Sequence, residues 1–174
     1  MGSGGMIVLD EDNCMVDVAR FYMEFIVDES CGKCTPCRVG TKRLLEMLTK
    51  ITKGQGTMEL LDEMERLCYE IQDTALCGLG QTAPNPILST LKHFRNEYLT
   101  HIQDKRCPAG VCKDLLVYSI NKDACKKCSL CARQCPVEAI SGVPGKEPFE
   151  IDQDKCIKCG GCMTACRFGA VERV

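Results

Sequence analysis

Two cysteine runs with the same spacing constrain the fold of this chain more than any other feature. Both have the pattern CxxCxxCxxxC and lie 31 residues apart: Cys125, Cys128, Cys131 and Cys135, then Cys156, Cys159, Cys162 and Cys166. Cysteines this close together do not bridge one another within a run, and the 174-residue chain carries 16 cysteines behind no recognisable signal segment. We therefore expect ligation of metals or clusters in a reducing, cytoplasmic environment rather than a disulfide framework.

The spacing of each run is typical of thiolates that hold cubic [4Fe-4S] clusters. Three closely spaced cysteines bind one cluster, and the fourth, beyond a turn, ligates the other. We predict two crossed sets: Cys125, Cys128, Cys131 and Cys166 for one cluster, and Cys156, Cys159, Cys162 and Cys135 for the other. A pair of zinc sites is the alternative, because CxxC pairs also bind Zn²⁺, but zinc needs no third cysteine at this spacing and no crossed ligand.

The stretch around these runs resembles a bacterial two-cluster ferredoxin. The resemblance covers residues 116–174 and rests on Cys-Lys-Lys-Cys-Ser-Leu-Cys-Ala-Arg-Gln-Cys-Pro and Cys-Ile-Lys-Cys-Gly-Gly-Cys-Met-Thr-Ala-Cys. Short strands are predicted at 116–120, 149–151 and 170–174, with so few apolar residues that clusters should form much of the core. Four cations lie among the ligands and either offset cluster charge or are ordinary solvated surface: Lys126, Lys127, Lys158 and Arg167, the last where such ferredoxins commonly have Pro.

The upstream half consists of long amphipathic stretches instead. Helices are predicted over 15–27 with Asp12 as N-cap and over 36–53 with Gly54 as the stop. A third helix is predicted after Thr57 as its N-cap, and a fourth begins at Pro84. Short links that contain glycine join them, so we expect an antiparallel bundle over 13–102. The predicted fold class is therefore mainly α plus a small α+β part: a four-helix cluster-binding bundle, then a ferredoxin-like domain.

The bundle has a cysteine motif of its own. Cys31, Cys34 and Cys37 supply three thiolates for a third [4Fe-4S] cluster, so a fourth ligand must come from elsewhere. Cys68 falls on the apolar face of the third helix, where a buried thiol is ordinary core. Cys77 precedes a Gly-Leu-Gly segment whose bare backbone can approach a cluster, so we predict Cys77 as the fourth ligand.

The motif in the bundle also carries a family resemblance. Residues 29–40, Glu-Ser-Cys-Gly-Lys-Cys-Thr-Pro-Cys-Arg-Val-Gly, together with Cys77, resemble the C-terminal cluster-binding bundle of the NADH-oxidising flavoprotein subunit of respiratory complex I. The resemblance spans 1–102 and implies an upstream domain, missing here, that binds FMN and NAD, of which 1–12 would be the end. Residues 2–5, Gly-Ser-Gly-Gly, would then be native rather than a linker scar, and 6–9 are predicted as a strand without a partner in this chain.

A ferredoxin domain fused behind the bundle is not the pattern of the respiratory subunit. It is similar to the NADH-oxidising beta subunit of soluble multimeric [FeFe]-hydrogenases and related electron-bifurcating enzymes. The resemblance implies a relay that carries single electrons among flavin and NAD(H), ferredoxin and a hydrogenase partner. Expected partners are a hydrogenase subunit, a [2Fe-2S] subunit and soluble ferredoxin. The alternatives are an NAD-linked formate dehydrogenase or transhydrogenase complex, and a structural interaction module stabilised by metals.

Four cysteines remain, and three of them suggest a zinc site together with a histidine. His101, Cys107 and Cys112 cluster around the segment 103–115, which we predict to be a hinge between the modules. Cys14 could reach them if the bundle brings the N-terminal segment alongside the fourth helix. We therefore expect a site of three cysteines and one histidine for Zn²⁺, with free thiols or a disulfide between Cys107 and Cys112 as rival interpretations.

Charge and composition exclude several other functions. The formal net charge of −2 gives no basic field for nucleic acid, and no apolar stretch approaches the roughly 20 residues of a membrane span. One of the two histidines, His93, is expected at the helix surface, and the chain shows neither a paired nucleophile and base nor a phosphate-binding glycine loop. We expect no catalytic residue: the chain would conduct electrons within an oxidoreductase complex without itself oxidising NADH or evolving hydrogen.

Overall fold

The computed structural model describes residues 6–173 and divides the chain into two compact units, with the boundary between Leu115 and Leu116. Residues 103–115, predicted as a hinge, lie within the first unit, where Lys105 Nζ donates to the carbonyl of Gly56 at 3.0 Å. The glycine-rich segment 2–5 lies outside the described residues. Residues 6–9 have no regular structure and are exposed, so the strand prediction there is wrong: none of the described strands pairs with this segment, and an unpaired apolar run does not form a strand.

The first unit is helical, as predicted. Its elements in chain order are α1 (Met15–Glu29), a π-helix (Pro36–Thr41) that continues into α2 (Lys42–Thr52), α3 (Met58–Thr74), α4 (Gly78–Thr82), α5 (Asn85–Leu99), a second π-helix (Thr100–Asp104) and a 3-10 turn (Lys113–Leu115). The four long helices are the predicted ones. The short helix α4 and the two π-helices are too brief to show an apolar periodicity. None of the helices within residues 6–173 is long and apolar enough to cross a membrane.

Local sequence sets the ends of the middle helices. The Thr57 hydroxyl accepts a hydrogen bond from the amide of Leu60 at 3.2 Å, which confirms the expected cap of α3. Just beyond the end of α2, Gly54 has a φ of 74°, the left-handed conformation that glycine adopts at little cost.

The start of α1 differs from the prediction. Asp12 does not cap this helix, because Cys14 holds the N-cap position, and the Cys14 side chain makes no capping hydrogen bond. The carboxylate of Glu97 on α5 instead accepts from the amide of Met15 at 2.9 Å and satisfies one of the free amides of the first turn. This long-range contact has no local sequence signal. It ties the start of α1 to the end of α5 and so places Cys14 near that end.

The apolar faces of the four long helices form the core of the first unit. Leu44, Leu48, Leu61 and Met64 are fully buried in it. Burial of a side chain of this size contributes about 1.5–3 kcal/mol, so a handful of such positions accounts for a large part of the stability of the bundle.

The second unit has the ferredoxin-like α+β fold that the sequence predicted. Its elements are β1 (Tyr118–Ile120), α6 (Leu130–Gln134), β2 (Ile140–Ser141), β3 (Glu150–Ile151), α7 (Gly161–Ala165) and β4 (Val171–Arg173). β1 pairs with β4 and β2 with β3, both antiparallel, with Ile120 opposite Val171 and Ile140 opposite Ile151. Each predicted strand position holds a shorter strand, whereas β2 and the two five-residue helices between the cysteines were not foreseen.

Candidate functional site

Two cavities in the second unit are each lined by one of the predicted crossed cysteine sets. Around the first cavity lie Cys125, Cys128, Cys131 and Cys166, and around the second cavity lie Cys135, Cys156, Cys159 and Cys162. Side chains such as Phe149 in the first and Tyr118 in the second complete the walls. Four sulfur atoms from both runs around a small, mostly apolar space are the donor set that a [4Fe-4S] cluster takes.

Backbone hydrogen bonds repeat in the two halves of this unit with the 31-residue offset of the cysteines. The amide of Cys125 donates to the carbonyl of Asn121, and the amide of Cys156 donates to the carbonyl of Asp152, each at 3.0 Å. The first ligand of each run is therefore held by the same turn, and the two cavities are built in the same way.

The crossing cysteines each receive an amide hydrogen bond. The amide of Ala139 donates to Cys135 Sγ and the amide of Ala170 donates to Cys166 Sγ, each at 3.3 Å. Donors aimed at a ligand sulfur stabilise its negative charge and help to set the potential of a bound cluster. Each amide lies four residues after its cysteine, so the turn that follows each crossing cysteine also supplies the amide that donates to its sulfur.

The third cysteine of each run is the most buried. Cys131 and Cys162 are each 8% exposed, and burial raises the pKa of both thiols. A thiol with a raised pKa stays protonated at neutral pH unless a cation stabilises the thiolate. Iron bound in the cavities would supply that cation.

The motif of the first unit is bordered by the loop that carries Cys77. The amide of Leu76 hydrogen-bonds to the sulfur of Cys34 and, together with the amide of Cys37, lowers the pKa of the Cys34 thiol. A Cβ atom at Gly80 would lie only 3.7 Å from Cys37 Sγ, so the loop backbone passes close to the motif. The structure therefore brings the residues on both sides of Cys77 to Cys34 and Cys37.

Exposure separates the two alternatives for the fourth ligand in this unit. Cys31 and Cys77 are exposed, whereas Cys37 is buried with its Sγ 3.3 Å from the Ser30 hydroxyl. Cys68 is fully buried in the bundle core, where burial raises its pKa to about 12. A thiol that resists ionisation inside an apolar core is inert, which favours Cys77.

The structure also brings Cys14, His101, Cys107 and Cys112 together in the first unit. Their ligand atoms all lie within 4.8 Å of one another, and all four side chains are buried. Cys14 Sγ is 3.8 Å from Cys112 Sγ, and these two sulfurs are 3.3 and 3.4 Å from His101 Nε2. Bonds to tetrahedral Zn²⁺ of about 2.3 Å from sulfur and about 2.0 Å from nitrogen place ligand atoms about 3.8 and 3.5 Å apart. The donor set therefore fits a single zinc ion.

The four side chains of this group shift one another's pKa values in opposite directions. Burial lowers the pKa of His101, but hydrogen bonds to Cys107 and Cys14 raise it to about 10. Hydrogen bonds from Cys112 and Cys14 lower the pKa of Cys107, whereas hydrogen bonds to Cys107 and Cys14 raise the pKa of Cys112. Opposed shifts of this kind arise where buried thiols share protons, and a divalent cation would take the place of those protons.

Glu97 is the residue that sequence reasoning missed here. Its carbonyl oxygen accepts a hydrogen bond from His101 Nδ1 at 2.7 Å, which directs Nε2 toward the sulfurs. Its spacing of four residues before His101 in a helical segment was the only available signal. The other histidine, His93, is exposed on α5, as expected.

Comparison with known families agrees with the division of the chain into two units. Residues 17–101 match the NADH-ubiquinone oxidoreductase-F iron-sulfur binding region. Residues 117–167 match the 4Fe-4S dicluster domain. The two matches contain all the cysteines of the predicted cluster sets.

Relatives of the chain are subunits of oxidoreductases. It is 61% identical over 148 residues to the NADP-reducing hydrogenase subunit HndC of Solidesulfovibrio fructosivorans, which covers 85% of this chain and 30% of that protein. It is 43% identical over 108 residues to an NADH-quinone oxidoreductase subunit of Rhizobium meliloti (strain 1021), which covers 62% of this chain and 26% of that protein. An NAD+-reducing [NiFe]-hydrogenase solved in the H2-reduced state matches with a TM-score of 0.53 and 32% identity over 55% of this chain and 16% of that one.

These matches cover only part of each relative. The chain spans 30% and 26% of the length of the two curated proteins. Within that part, one family match falls in each of the two units. The chain belongs to the F-like subunits of NADH-quinone oxidoreductases and carries their iron-sulfur binding region together with a 4Fe-4S dicluster domain.

Proposed function

We propose that this chain is an electron relay of an NAD-linked hydrogenase complex, passing single electrons among a flavin and NAD(H) site, ferredoxin and a hydrogenase subunit. The observation that carries the proposal is the pair of cavities, each lined by three cysteines of one run and the last cysteine of the other. A [4Fe-4S] cluster supplies one-electron transfer at a potential that the surrounding protein tunes.

The residues of the second unit would hold these clusters and set their environment. Eight thiolates would bind iron in the two crossed sets, and the amides of Ala139 and Ala170 would donate to the crossing sulfurs. Apolar wall residues such as Phe149 and Ile140, both buried, would keep water away from the sulfur atoms. Water exclusion and amide donors act in opposite directions on the potential, so the protein sets it by their balance.

We assign Cys31, Cys34, Cys37 and Cys77 to a third cluster in the first unit. The lowered pKa of the Cys34 thiol and the close approach of Gly80 to Cys37 support this set. The exposure of Cys31 and Cys77 would leave this site open to an electron donor or acceptor from outside the bundle.

We assign Zn²⁺ to the group formed by Cys14, His101, Cys107 and Cys112. Zinc has no redox chemistry, so the role of these residues would be structural: they would fasten the loop after α5 to the start of α1. Elemental analysis of the folded protein should find about one zinc per chain, and His101→Gln should lose it while the matched surface variant His93→Gln keeps it. Folded protein without zinc would overturn the assignment.

The hydrogenase setting rests on what the relatives are. A relative at 61% identity is a subunit of an NADP-reducing hydrogenase, and a solved relative is an NAD+-reducing [NiFe]-hydrogenase. FMN and NAD would bind to an upstream domain, and a [2Fe-2S] subunit and soluble ferredoxin would be electron partners. An [FeFe] active site in the partner and electron bifurcation are part of this proposal. The cysteine content of the chain fits the cytoplasm, where thiols stay reduced.

Reduction by dithionite under anaerobic conditions tests the relay. We expect reversible bleaching of the visible absorption and electron paramagnetic resonance signals of reduced [4Fe-4S] clusters that interact magnetically. Protein that is folded but silent to reduction would instead be a structural module held by metal. A complex purified through the native full-length subunit should reduce NAD(P)+ with hydrogen as the electron donor. A complex that uses formate instead of hydrogen would contradict the hydrogenase setting.

A further inference from the structure

The two halves of the second unit correspond so closely that their differences can be assigned position by position. With the 31-residue offset, Lys127 corresponds to Lys158, and both have a φ of 56°. One residue earlier the halves differ: Lys126 lines the first cavity, whereas Ile157 lines the second cavity. Both side chains are exposed, so a charged and an uncharged group occupy corresponding places at the two cavities.

A second difference also makes the surroundings of the second cavity more negative than those of the first. Glu138 lies between two residues that line the second cavity, Val137 and Ala139. Its counterpart at the first cavity is Gly169, which has no charge. A carboxylate therefore stands in the sequence next to the lining of the second cavity, and the matching position next to the first has none.

The crossing turns show a third difference. Arg167 follows the crossing ligand Cys166 of the first cavity, and its counterpart after Cys135 at the second cavity is Pro136. The departure from the usual proline thus adds a cation on the side of the first cavity.

Four of the other unmatched charges in this unit form ion pairs with each other. Asp152, which corresponds to the uncharged Asn121, forms an ion pair with Lys155 at 3.7 Å. Lys122 forms an ion pair with Glu150. Besides the cysteines, Lys126 is the one charged residue among the described residues that line the two cavities, so the first cavity is the more positive.

We propose that Lys126, whose counterpart at the second cavity is Ile157, sets the order in which clusters bound in the two cavities are reduced. The cluster in the first cavity is reduced before the cluster in the second. The proposal rests on the proposed function, since it requires a cluster in each cavity. Reduction adds one negative charge, which a nearby ammonium stabilises and an isoleucine does not. With a cluster bound in each cavity, one electron would pass from the second centre, which becomes oxidised, to the first centre, which becomes reduced, with no bond or proton changed. Transfer in that direction is favourable.

The test is a redox titration of the whole chain with its clusters in place, followed by electron paramagnetic resonance. The two magnetically interacting centres give two midpoint potentials. Lys126→Ile should lower the higher one, with the equilibrium constant for reduction falling about tenfold, or about 59 mV for a one-electron couple, and leave the lower one in place. Lys126→Arg keeps the charge and should keep both potentials, and Ile157→Lys should raise the lower one.

Two results would overturn the inference: Lys126→Ile with both potentials unchanged, or Lys126→Ile with a shift in the lower potential. Ile157→Lys provides a second check if Lys126→Ile disturbs cluster assembly, and an unchanged lower potential in that variant also counts against the inference. Iron is measured on the unsubstituted chain first. A chain that binds no iron would contradict the proposed function, whereas a loaded chain with the wrong order of potentials would contradict only the role of Lys126.

Discussion

The two units use apolar side chains to very different extents. The first unit packs four long helices around a continuous core in which Leu44, Leu48 and Met64 are fully buried. In the described part of the second unit, the buried core consists of Leu116, Tyr118, Ile140, Phe149 and Val171 together with the proposed ligands Cys131 and Cys162. Its sheets have only two strands each, and such pairs are marginal alone. The proposed cluster of the bundle would therefore be an addition to an existing core, whereas the proposed clusters of the ferredoxin-like unit would form part of its core.

Removal of iron should therefore produce the largest difference in folding between the two units. An iron-selective chelator under anaerobic conditions should unfold residues 116–173, because their core is lost, while α2 and α3 stay folded. Hydrogen exchange measured by mass spectrometry would show loss of protection confined to the second unit. Retained protection in 116–173 after complete loss of iron would show that apolar packing alone suffices there.

Substitution of a crossing ligand should damage the half that does not contain it. Cys135→Ser should lower the iron content by about four atoms per chain and raise hydrogen exchange around Cys156 rather than around Cys125. Cys166→Ser should do the reverse. If each variant instead loosened its own half, the crossed sets would be wrong, although the cavities would remain.

In the bundle, loss of a cluster ligand should cost iron but little structure. Cys77→Ser should remove about four irons per chain, while its matched control Cys68→Ser should keep all of them, because Cys68 is buried in the core. Circular dichroism should show the helical content of both variants close to that of the unsubstituted chain. Iron loss in Cys68→Ser alone would reverse the assignment of the fourth ligand.

The smallest expected effect is a pH dependence of bundle stability. Burial raises the pKa of Cys68 from 9.0 to about 12 in the folded state, so the unfolded thiol ionises first. The stability linked to this thiol is present below pH 9 and is lost as the pH rises from 9 toward 12, by at most about 1.4 kcal/mol per pH unit. Urea unfolding at pH 8 and pH 10 should show a smaller loss in Cys68→Ala. Equal losses in both proteins would contradict this assignment.

The same contrast explains what could be predicted from the sequence. The spacing of the two runs predicted which cysteines line each cavity, because the motif is local and is repeated. Thr57 was predictable as a cap because its hydrogen bond spans three residues. The site formed by Cys14 and His101 was predictable only as a set of leftover ligands, since the residues lie far apart in the chain and meet through helix packing.

What the sequence could not predict depends on long-range contacts. Glu97 caps α1 and orients His101, although nothing near Cys14 indicates it. The π-helix after Thr35 breaks the expected single helix, because the chain there changes its hydrogen-bonding pattern next to the cysteine motif. Residues 6–9 are apolar enough for a strand, but a strand needs a partner, which composition cannot supply.

The most direct test of the whole account is the iron and acid-labile sulfide content of the folded chain, purified without oxygen. Three clusters predict about twelve irons and about twelve sulfides per chain, together with brown colour. A folded, colourless chain that contains neither iron nor sulfide would contradict the account.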